Sequence, residues 1–332
     1  MNVVIDGRAL VGHRTGIGVH TAEIARRLDP PPLIASHATI DDQSGIERCR
    51  FRVDRMPYGV MWQQLVLPRI TGDGVLWAPH GTIPLALRAP AVITLHDLTA
   101  LTMPRRHRLQ TILSFDLFIG RSVQRAARIA AVSRAVAEEA KRWFGVSCEI
   151  VPNGVDEFFT PDGGAEGDFI LFAGTLEPRK GVDDLVEVWM SLPAPRPRLV
   201  LAGDAGWRVR VPEGVEVTGY IARQRLRELY RRARLFVYPS RYEGFGIPPL
   251  EAMACGAAVV ATRTGAIPEY ADGAALLVDP GDRDALRAAM LRVLGDGALR
   301  AELRARGAER ATHYRWERSA ALMAELLAEA AL

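Results

Sequence analysis

Short apolar runs alternate with stretches of helical periodicity from one end of the chain to the other. Such alternation predicts parallel βα units rather than a sandwich or a bundle, because each apolar strand is followed by an amphipathic crossover that covers one face of a sheet. In the first half it places strands at Val3–Asp6, Val75–Trp77, Ala91–Leu95, Arg128–Val132 and Glu149–Val151, and helices at Val19–Leu28, Tyr58–Ile70, Arg108–Ala126 and Arg134–Phe144. Ser133 stands where it would cap the last of these. After Val151 comes PNGVDEFFTPDGGAEGD, rich in Pro, Gly and Asp and without periodicity, which predicts a domain boundary within Pro152 to Gly167.

A second alternation follows, with strands expected at Phe169–Ala173, Arg198–Ala202, Val215–Thr218, Leu235–Tyr238, Ala257–Ala261 and Ala275–Val278. Its helices fall near Val182–Ser191, Arg223–Ala233, Pro249–Ala254, Asp284–Leu294 and Ala298–His313. The last helix, from about Trp316, carries Trp316, Ala320, Met323 and Leu327 on one stripe that needs a partner. At 332 residues the chain is longer than one core usually fills. The reading is therefore two doubly wound α/β domains, 1–155 and 165–313, and a C-terminal helix over 314–332, with no solenoid repeat and no low-complexity tract.

Composition changes this picture little. Hydrophobic residues at 48% and charged residues at 24% predict that both halves fold. No run is long and uncharged enough to span a membrane, and MNVVIDGRAL lacks the layout of a signal peptide, so a cytoplasmic protein is expected. Cys49, Cys148 and Cys255 are odd in number and form no CxxC pair, which argues against a disulfide framework or a zinc site. A net charge of +3 points to no nucleic-acid partner. Local clusters at Pro104-Arg105-Arg106-His107-Arg108 and at Arg121, Arg125 and Arg128 suit an anionic acceptor or a membrane surface, although a solvated helix face is the simpler reading.

No metal is expected. Asp282-Arg283-Asp284 has the spacing of a metal-binding pair, but it opens a helix after Pro280-Gly281, where aspartates act as cap and dipole partner. His13 and His20 flank Gly16 and Gly18 without a carboxylate or cysteine at ligand spacing.

Candidate chemistry concentrates in Phe236 to Asp282, FVYPSRYEGFGIPPLEAMACGAAVVATRTGAIPEYADGAALLVDPGD. A strand ends at Tyr238 in a loop holding Gly244, Phe245 and Gly246, and Pro248 and Pro249 then suit the opening of a helix. The glycines let backbone approach a ligand, and the helix N-terminus favours a diphosphate. Glu251, expected in the first helical turn, can accept two hydrogen bonds from a ribose diol, and Glu243 can face a sugar ring. Stabilisation of the helix N-terminus for Glu251 and a solvated loop for Glu243 stay open as alternatives.

This stretch resembles the donor-site signature of retaining glycosyltransferase family 4, whose fold is GT-B. Further segments carry the resemblance. Phe172 to Gly181, FAGTLEPRKG, is similar to the first strand-loop of the family's donor domain, which implies that Lys180 contacts the donor diphosphate with Arg179 beside it. Ala91 to Met103, AVITLHDLTALTM, resembles the acceptor-domain strand whose histidine reaches the donor sugar, which implies that role for His96, followed by Asp97. Without the resemblance, a histidine beside an aspartate at a strand end reads first as a satisfied structural pair. Gly16-Ile17-Gly18 resembles the family's glycine loop, and Val151 to Asp156, VPNGVD, its entry into the linker. Tyr220 and Ile221 resemble the base-contact region, where an aromatic beside an aliphatic also reads as core. Thr175 departs from the pattern, since many relatives carry an arginine there.

The resemblance implies two Rossmann-like domains facing across a cleft, the N-terminal one for the acceptor and the C-terminal one for a nucleotide sugar, with the last helix packing back on the first. It implies a hexosyltransferase that needs no cofactor or metal, retains configuration by same-face attack, and takes a nucleoside-diphosphate sugar to a glycan or lipid-linked acceptor, in peripheral contact with the inner membrane leaflet. LHDL together with GTLEPRKG resembles mannosyltransferases that use GDP-mannose in bacterial surface polysaccharide synthesis. A catalytically silent nucleotide-sugar-binding partner and a GT-B epimerase or phosphorylase remain the alternatives.

Overall fold

The structure is a computed structural model that describes residues 2–102, 118–162, 164, 166–204 and 212–332. The chain divides into two compact units: the first runs to Gly154 and takes back Trp316–Leu332, and the second is Val155–Arg315.

The first unit is built on β1 (Val3–Asp6), α1 (Gly16–Ala25), β2 (Leu33–Ser36), β3 (Arg50–Val53), α2 (Gly59–Leu65), α3 (Leu67–Thr71), β4 (Val75–Ala78), β5 (Ala91–Leu95), α4 (Thr99–Thr102), β6 (Arg128–Ala131), α5 (Arg134–Phe144) and β7 (Glu149–Ile150). All seven strands pair in parallel in the order β3-β2-β1-β4-β5-β6-β7. The central strands are buried on both faces, as a parallel sheet covered by helices must be. Ser133 caps α5, its Oγ accepting the Val136 N–H at 3.1 Å.

The second unit follows with β8 (Phe169–Ala173), α6 (Val182–Met190), β9 (Arg198–Ala202), β10 (Val215–Gly219), α7 (Arg223–Arg232), β11 (Leu235–Tyr238), α8 (Ile247–Ala254), β12 (Val259–Thr262), α9 (Ile267–Ala271), β13 (Leu276–Val278), α10 (Arg283–Gly295) and α11 (Gly297–Ala311). Its six-stranded parallel sheet runs β10-β9-β8-β11-β12-β13. Asp282 caps α10, its Oδ1 accepting the Ala285 N–H at 2.8 Å, and Asp284 lies in the first turn, the places expected for a cap and a dipole partner. The last helix, α12 (Trp316–Ala330), packs on α1 and on β4, β5 and β6 of the first unit. Its stripe of Trp316, Ala320, Met323 and Leu327 is buried in that unit's core beside Ile24, Leu28 and Trp77.

Several expectations need correction. The sequence reading missed β2, β3 and the short helices α4 and α9. The two strands begin beside Pro30–Pro32 and at Arg50, where proline and charge mask the apolar pattern. The helix expected over Tyr58–Ile70 is two short ones that meet at Val66, with Pro68 opening the second, because proline has no N–H to continue the first. Residues 118–125 are helical. The earlier part of the helix expected at Arg108–Ala126, and the cluster Pro104 to Arg108, lie outside the described residues. Gly16 and Gly18 do not form a loop; both sit in the first turn of α1. A Cβ on Gly18 would lie 2.5 Å from the Ala9 carbonyl, so glycine there permits close packing of α1 against the preceding turn. Among the described residues no helix is long and apolar enough to cross a membrane, and no group of three His, Cys, Asp or Glu could hold a metal.

Candidate functional site

In the second sheet the strand order reverses between β8 and β11. Open α/β sheets bind ligands beyond the carboxyl ends of the strands at such a point, because the flanking loops turn away from one another there. Arg179 and Lys180 leave β8 in a short turn opened by Pro178 and closed by Gly181, and Glu243 lies on the loop leaving β11. The reversal therefore brings together residues that lie far apart in sequence. Lys180 Nζ lies 2.6 Å from Glu243 Oε1 and donates to the Tyr238 hydroxyl at 2.8 Å. The same carboxylate oxygen accepts from Tyr238 at 3.0 Å and from Ser240 Oγ at 2.6 Å. Arg179 stands 3.7 Å from Glu243 Oε2 and donates to the Tyr242 carbonyl and to Glu177.

Glu243 is buried, which corrects the alternative of a solvated loop residue. Burial alone would push its carboxyl up, but the charges of Lys180 and Arg179 and the bonds from Lys180 and Ser240 hold it below its ordinary value. Gly265 fixes the loop from behind: at φ +54° it lies so close to the Glu243 carbonyl that no Cβ fits. Tyr238 and Ser240 escaped the sequence reading because a tyrosine ending an apolar strand and a serine after proline carry no signal of their own.

Glu251 is not in the first turn of α8 but in the second, since the helix starts at Ile247. It is partly buried and accepts from the Tyr230 hydroxyl at 3.0 Å. Burial raises its carboxyl to about 7, against a smaller downward pull from Tyr230. Pro248 and Pro249 lack N–H groups, so the first turn of α8 has fewer donors for an anion than most helix starts. The Gly246 carbonyl accepts from Tyr270 at 2.6 Å, and Phe245 is buried in a stack with Tyr270, 5.4 Å between centroids. The Phe245 ring is therefore core, and only its backbone can meet a ligand. Tyr220 is exposed just beyond β10 with its N–H on Asp204, and Ile221 is half-buried beside it.

In the first sheet the order reverses between β1 and β4. Asp6 ends β1 fully buried and holds Arg8 through contacts of 2.7 to 3.0 Å, with Gln63 Nε2 at 3.2 Å. His80 follows β4 and His96 follows β5. His96 is half-buried; it is bonded to the Pro79 carbonyl, and burial with the neighbouring His20 and His80 holds it well below the ordinary histidine value. Asp97 does not pair with it, since its Oδ1 accepts the Thr99 N–H and hydroxyl. His20, from α1, is fully buried, bonded through Nδ1 to Asn153 Oδ1 at 2.7 Å, and set edge-on to His96 at 4.7 Å. Burial lowers it to about 4. Asp6, Arg8, His37, His80 and Asn153 were missed from sequence; the signal available for Asp6, Arg8 and His80 was their place at or just after the ends of β1 and β4, beside the reversal, and His37 needed β2 to be read.

Comparisons with known proteins bear on both units. The profile for "Glycosyl transferases group 1" matches residues 162–311, and that for "Glycosyltransferase Family 4" matches residues 71–157. O-antigen chain mannosyltransferase B of Escherichia coli is 30% identical, the match covering 91% of this chain and 93% of that protein. The serotype-specific mannosyltransferase WbdA of Escherichia coli is 33% identical over 60% of this chain, which spans 25% of WbdA's length. Among solved structures, sucrose-phosphate synthase from Thermosynechococcus elongatus superposes with a TM-score of 0.79 at 22% identity over 98% of both chains. Anabaena HepE in complex with UDP-glucose superposes at 0.79 and 19% identity, covering 99% of this chain and 98% of that one. Their common fold is GT-B, two parallel α/β units.

Proposed function

The chain belongs to glycosyltransferase family 4, and from that premise we propose that it moves a hexose, mannose in the first instance, from a nucleoside-diphosphate sugar to a hydroxyl of a glycan or lipid-linked acceptor. The setting is synthesis of a cell-surface polysaccharide at the cytoplasmic membrane. The observation that carries this reading is the cationic pair Lys180 and Arg179 at the reversal of the second sheet, held by Glu243. Lys180 is one of only two lysines in a chain with 42 cationic residues, the rest being arginine. Its compact ammonium meets both the Tyr238 hydroxyl and the Glu243 carboxylate, a point-charge geometry that a planar guanidinium does not reproduce.

Departure of the sugar from its diphosphate builds negative charge on the phosphate and oxocarbenium-like charge on the ring. In this reading Lys180 and Arg179, with backbone amides of 244–246, are charges and dipoles fixed in advance where the leaving group develops its charge, and they do the work of a metal. Glu251 takes the ribose hydroxyls, Tyr220 and Ile221 flank the base, and Glu243 and His96 position hydroxyls of the sugar. Retention follows from same-face attack, in which the acceptor oxygen bonds to C1 as the C1–phosphate bond breaks and its proton passes to the departing phosphate.

The mannosyltransferase relatives support mannose as the sugar. The protein incubated with GDP-mannose, UDP-glucose and UDP-galactose, each with a methyl α-mannoside, methyl α-glucoside or methyl N-acetylglucosaminide as acceptor and with free nucleoside diphosphate measured, tests the reading. Turnover of GDP-mannose ahead of the others is expected. Binding of all three without release of nucleoside diphosphate would contradict it and favour a silent binding partner.

A further inference from the structure

Lys180 and Glu243 meet in a network that treats the two oxygens of the carboxylate unequally. Oε1 accepts from Lys180 Nζ at 2.6 Å, from Ser240 Oγ at 2.6 Å and from the Tyr238 hydroxyl at 3.0 Å. Oε2 takes no hydrogen bond among the described residues, and the Arg179 guanidinium stands at 3.7 Å, beyond hydrogen-bond reach. Oε2 is nevertheless not sealed off, for no oxygen of Glu243 is both enclosed and without a partner. A carboxylate oxygen has room for about two donors, so the third on Oε1 fixes orientation rather than filling a lone pair. One oxygen is saturated and the other is left open.

Lys180 cannot hold this orientation through a reaction, because a diphosphate competes for its ammonium, which already gives one N–H to Glu243 and one to Tyr238. Tyr238 and Ser240 are neutral and fully buried, so they stay on Oε1 when the ammonium turns to a phosphate. Burial and the Glu243 charge push the Tyr238 hydroxyl well above its ordinary value, which keeps it a donor. The carbonyls of Arg179 and Tyr242 also lie within reach of Ser240 Oγ, at 3.2 and 3.1 Å, but its one hydrogen favours the shorter bond to the ionised carboxylate. Thr262 on β12 donates to the Ser240 carbonyl and fixes the backbone that carries the hydroxyl.

We propose that Tyr238 and Ser240 are positioning residues for the transfer: through Oε1 they turn Glu243 so that Oε2 is the oxygen that accepts a hydroxyl of the donor sugar. This rests on the reading above, in which Glu243 meets the sugar.

Carbon-13 NMR of the glutamate side chains, with Glu243 identified by the signal lost in Glu243→Gln, reads the carboxyl without any need for turnover. The charged and titratable groups that face it are Lys180 and Arg179 from the turn after β8, Tyr238 from β11 and Tyr270 from α9. Its titration should lie below the ordinary glutamate value in the wild type and move up in Ser240→Ala and in Tyr238→Phe, since each removes a donor that favours the ionised form. Release of nucleoside diphosphate reads the consequence. Each variant should lower kcat about tenfold, the loss of roughly one hydrogen bond to a charged group. GDP affinity should stay within about twofold of the wild type, which also shows that each folds. In a Glu243→Ala background the same two substitutions should lower kcat no further, because no carboxylate is left to turn, whereas hydroxyls that only tied the loops together would cost as much there as in the wild type. The proposal is overturned if the Glu243 titration stays put in both variants, if both turn over like the wild type, if GDP affinity falls as far as kcat, or if their effects multiply in full on Glu243→Ala. A wild type that releases no nucleoside diphosphate from any donor, yet whose Glu243 titration rises in both variants, would overturn the transferase reading and leave the orientation of Glu243 by Tyr238 and Ser240 standing.

Discussion

The two sheets solve one topological problem with different chemistry. Each reverses strand order beside its first strand, between β1 and β4 in unit 1 and between β8 and β11 in unit 2. At that point unit 2 places a buried carboxylate shared by a lysine, an arginine, a tyrosine and a serine, whereas unit 1 places neutral imidazoles and an arginine already spent on Asp6. The doubly wound sheet fixes where a ligand can sit, and the loops fix what it can be. Both reversals pair their cations with carboxylates, Lys180 with Glu243 and Arg179 with Glu177 in unit 2 and Arg8 with Asp6 in unit 1. What differs is that unit 2 adds a tyrosine and a serine to one shared carboxylate while unit 1 gathers imidazoles.

The largest effect that can break this contrast is Lys180→Ala. Losing a fixed charge at the developing diphosphate should lower turnover by at least about a hundredfold. Lys180→Arg should recover only part of that loss, because a planar guanidinium cannot reproduce the geometry in which the ammonium meets both the Tyr238 hydroxyl and Glu243. Steady-state release of nucleoside diphosphate measures both, and near wild-type rates in Lys180→Ala would move the phosphate site elsewhere.

Acid should separate the units next. A histidine lowered to about 4 stays unprotonated in the fold while its unfolded counterpart takes up a proton below about 6.5, so the unfolded state binds more protons and stability falls as pH drops through that window. For His20 the shift corresponds to roughly 3 kcal/mol by pH 4. Glu243 has the opposite history: its lowered carboxyl stabilises unit 2 above its ordinary value of 4.5, and that contribution fades only below it. Thermal melts from pH 7 to 4.5, followed by fluorescence of Trp77 and Trp316 beside His20, should show unit 1 weakening first. Loss of both units together, only below pH 4.5, would deny the neutral-imidazole account.

A smaller effect sharpens the role of Glu251. Its carboxyl titrates at about 7, and bonding to ribose hydroxyls favours the ionised form. Nucleoside-diphosphate affinity should therefore rise about twofold between pH 7 and 8, with protons released on binding, and the rise should vanish in Glu251→Gln. Calorimetry in two buffers of different ionisation enthalpy checks it. The smallest expected effect is that of chelation: EDTA should leave donor turnover unchanged, and loss of activity restored by magnesium or manganese would contradict a clamp made of side chains alone.

Much of this was readable before the fold was known, for reasons that differ by residue. The strands Ala91–Leu95, Phe169–Ala173 and Leu235–Tyr238 are unbroken apolar runs between breakers, and they fall where the pattern put them. The stripe of α12 predicted its own burial, and the α/β architecture of both units followed from the alternation. Leu33–Ser36 and Arg50–Val53 were illegible, because the first is a short run beside prolines and the second sits at a sheet edge with charges on it. Losing β2 also hid His37. Lys180 and Glu243 were legible as residues, but not as partners, since the bond between them depends on two loops joined only by the sheet's strand order. The helical placement of Gly16 and Gly18 was misread because a glycine pair after a strand looks like a loop whether it turns the chain or admits a close contact.

The most direct test of the division of labour is calorimetric titration of GDP into the wild type, Lys180→Ala, Glu251→Ala and His96→Ala. The account predicts that Lys180→Ala and Glu251→Ala lose affinity by about tenfold or more each, while His96→Ala binds GDP as the wild type does and yet turns over donor far more slowly. If His96→Ala weakens GDP binding as much as Lys180→Ala, or leaves transfer intact, the histidine is a packing residue and the division between nucleotide binding by unit 2 and a turnover role for His96 is wrong.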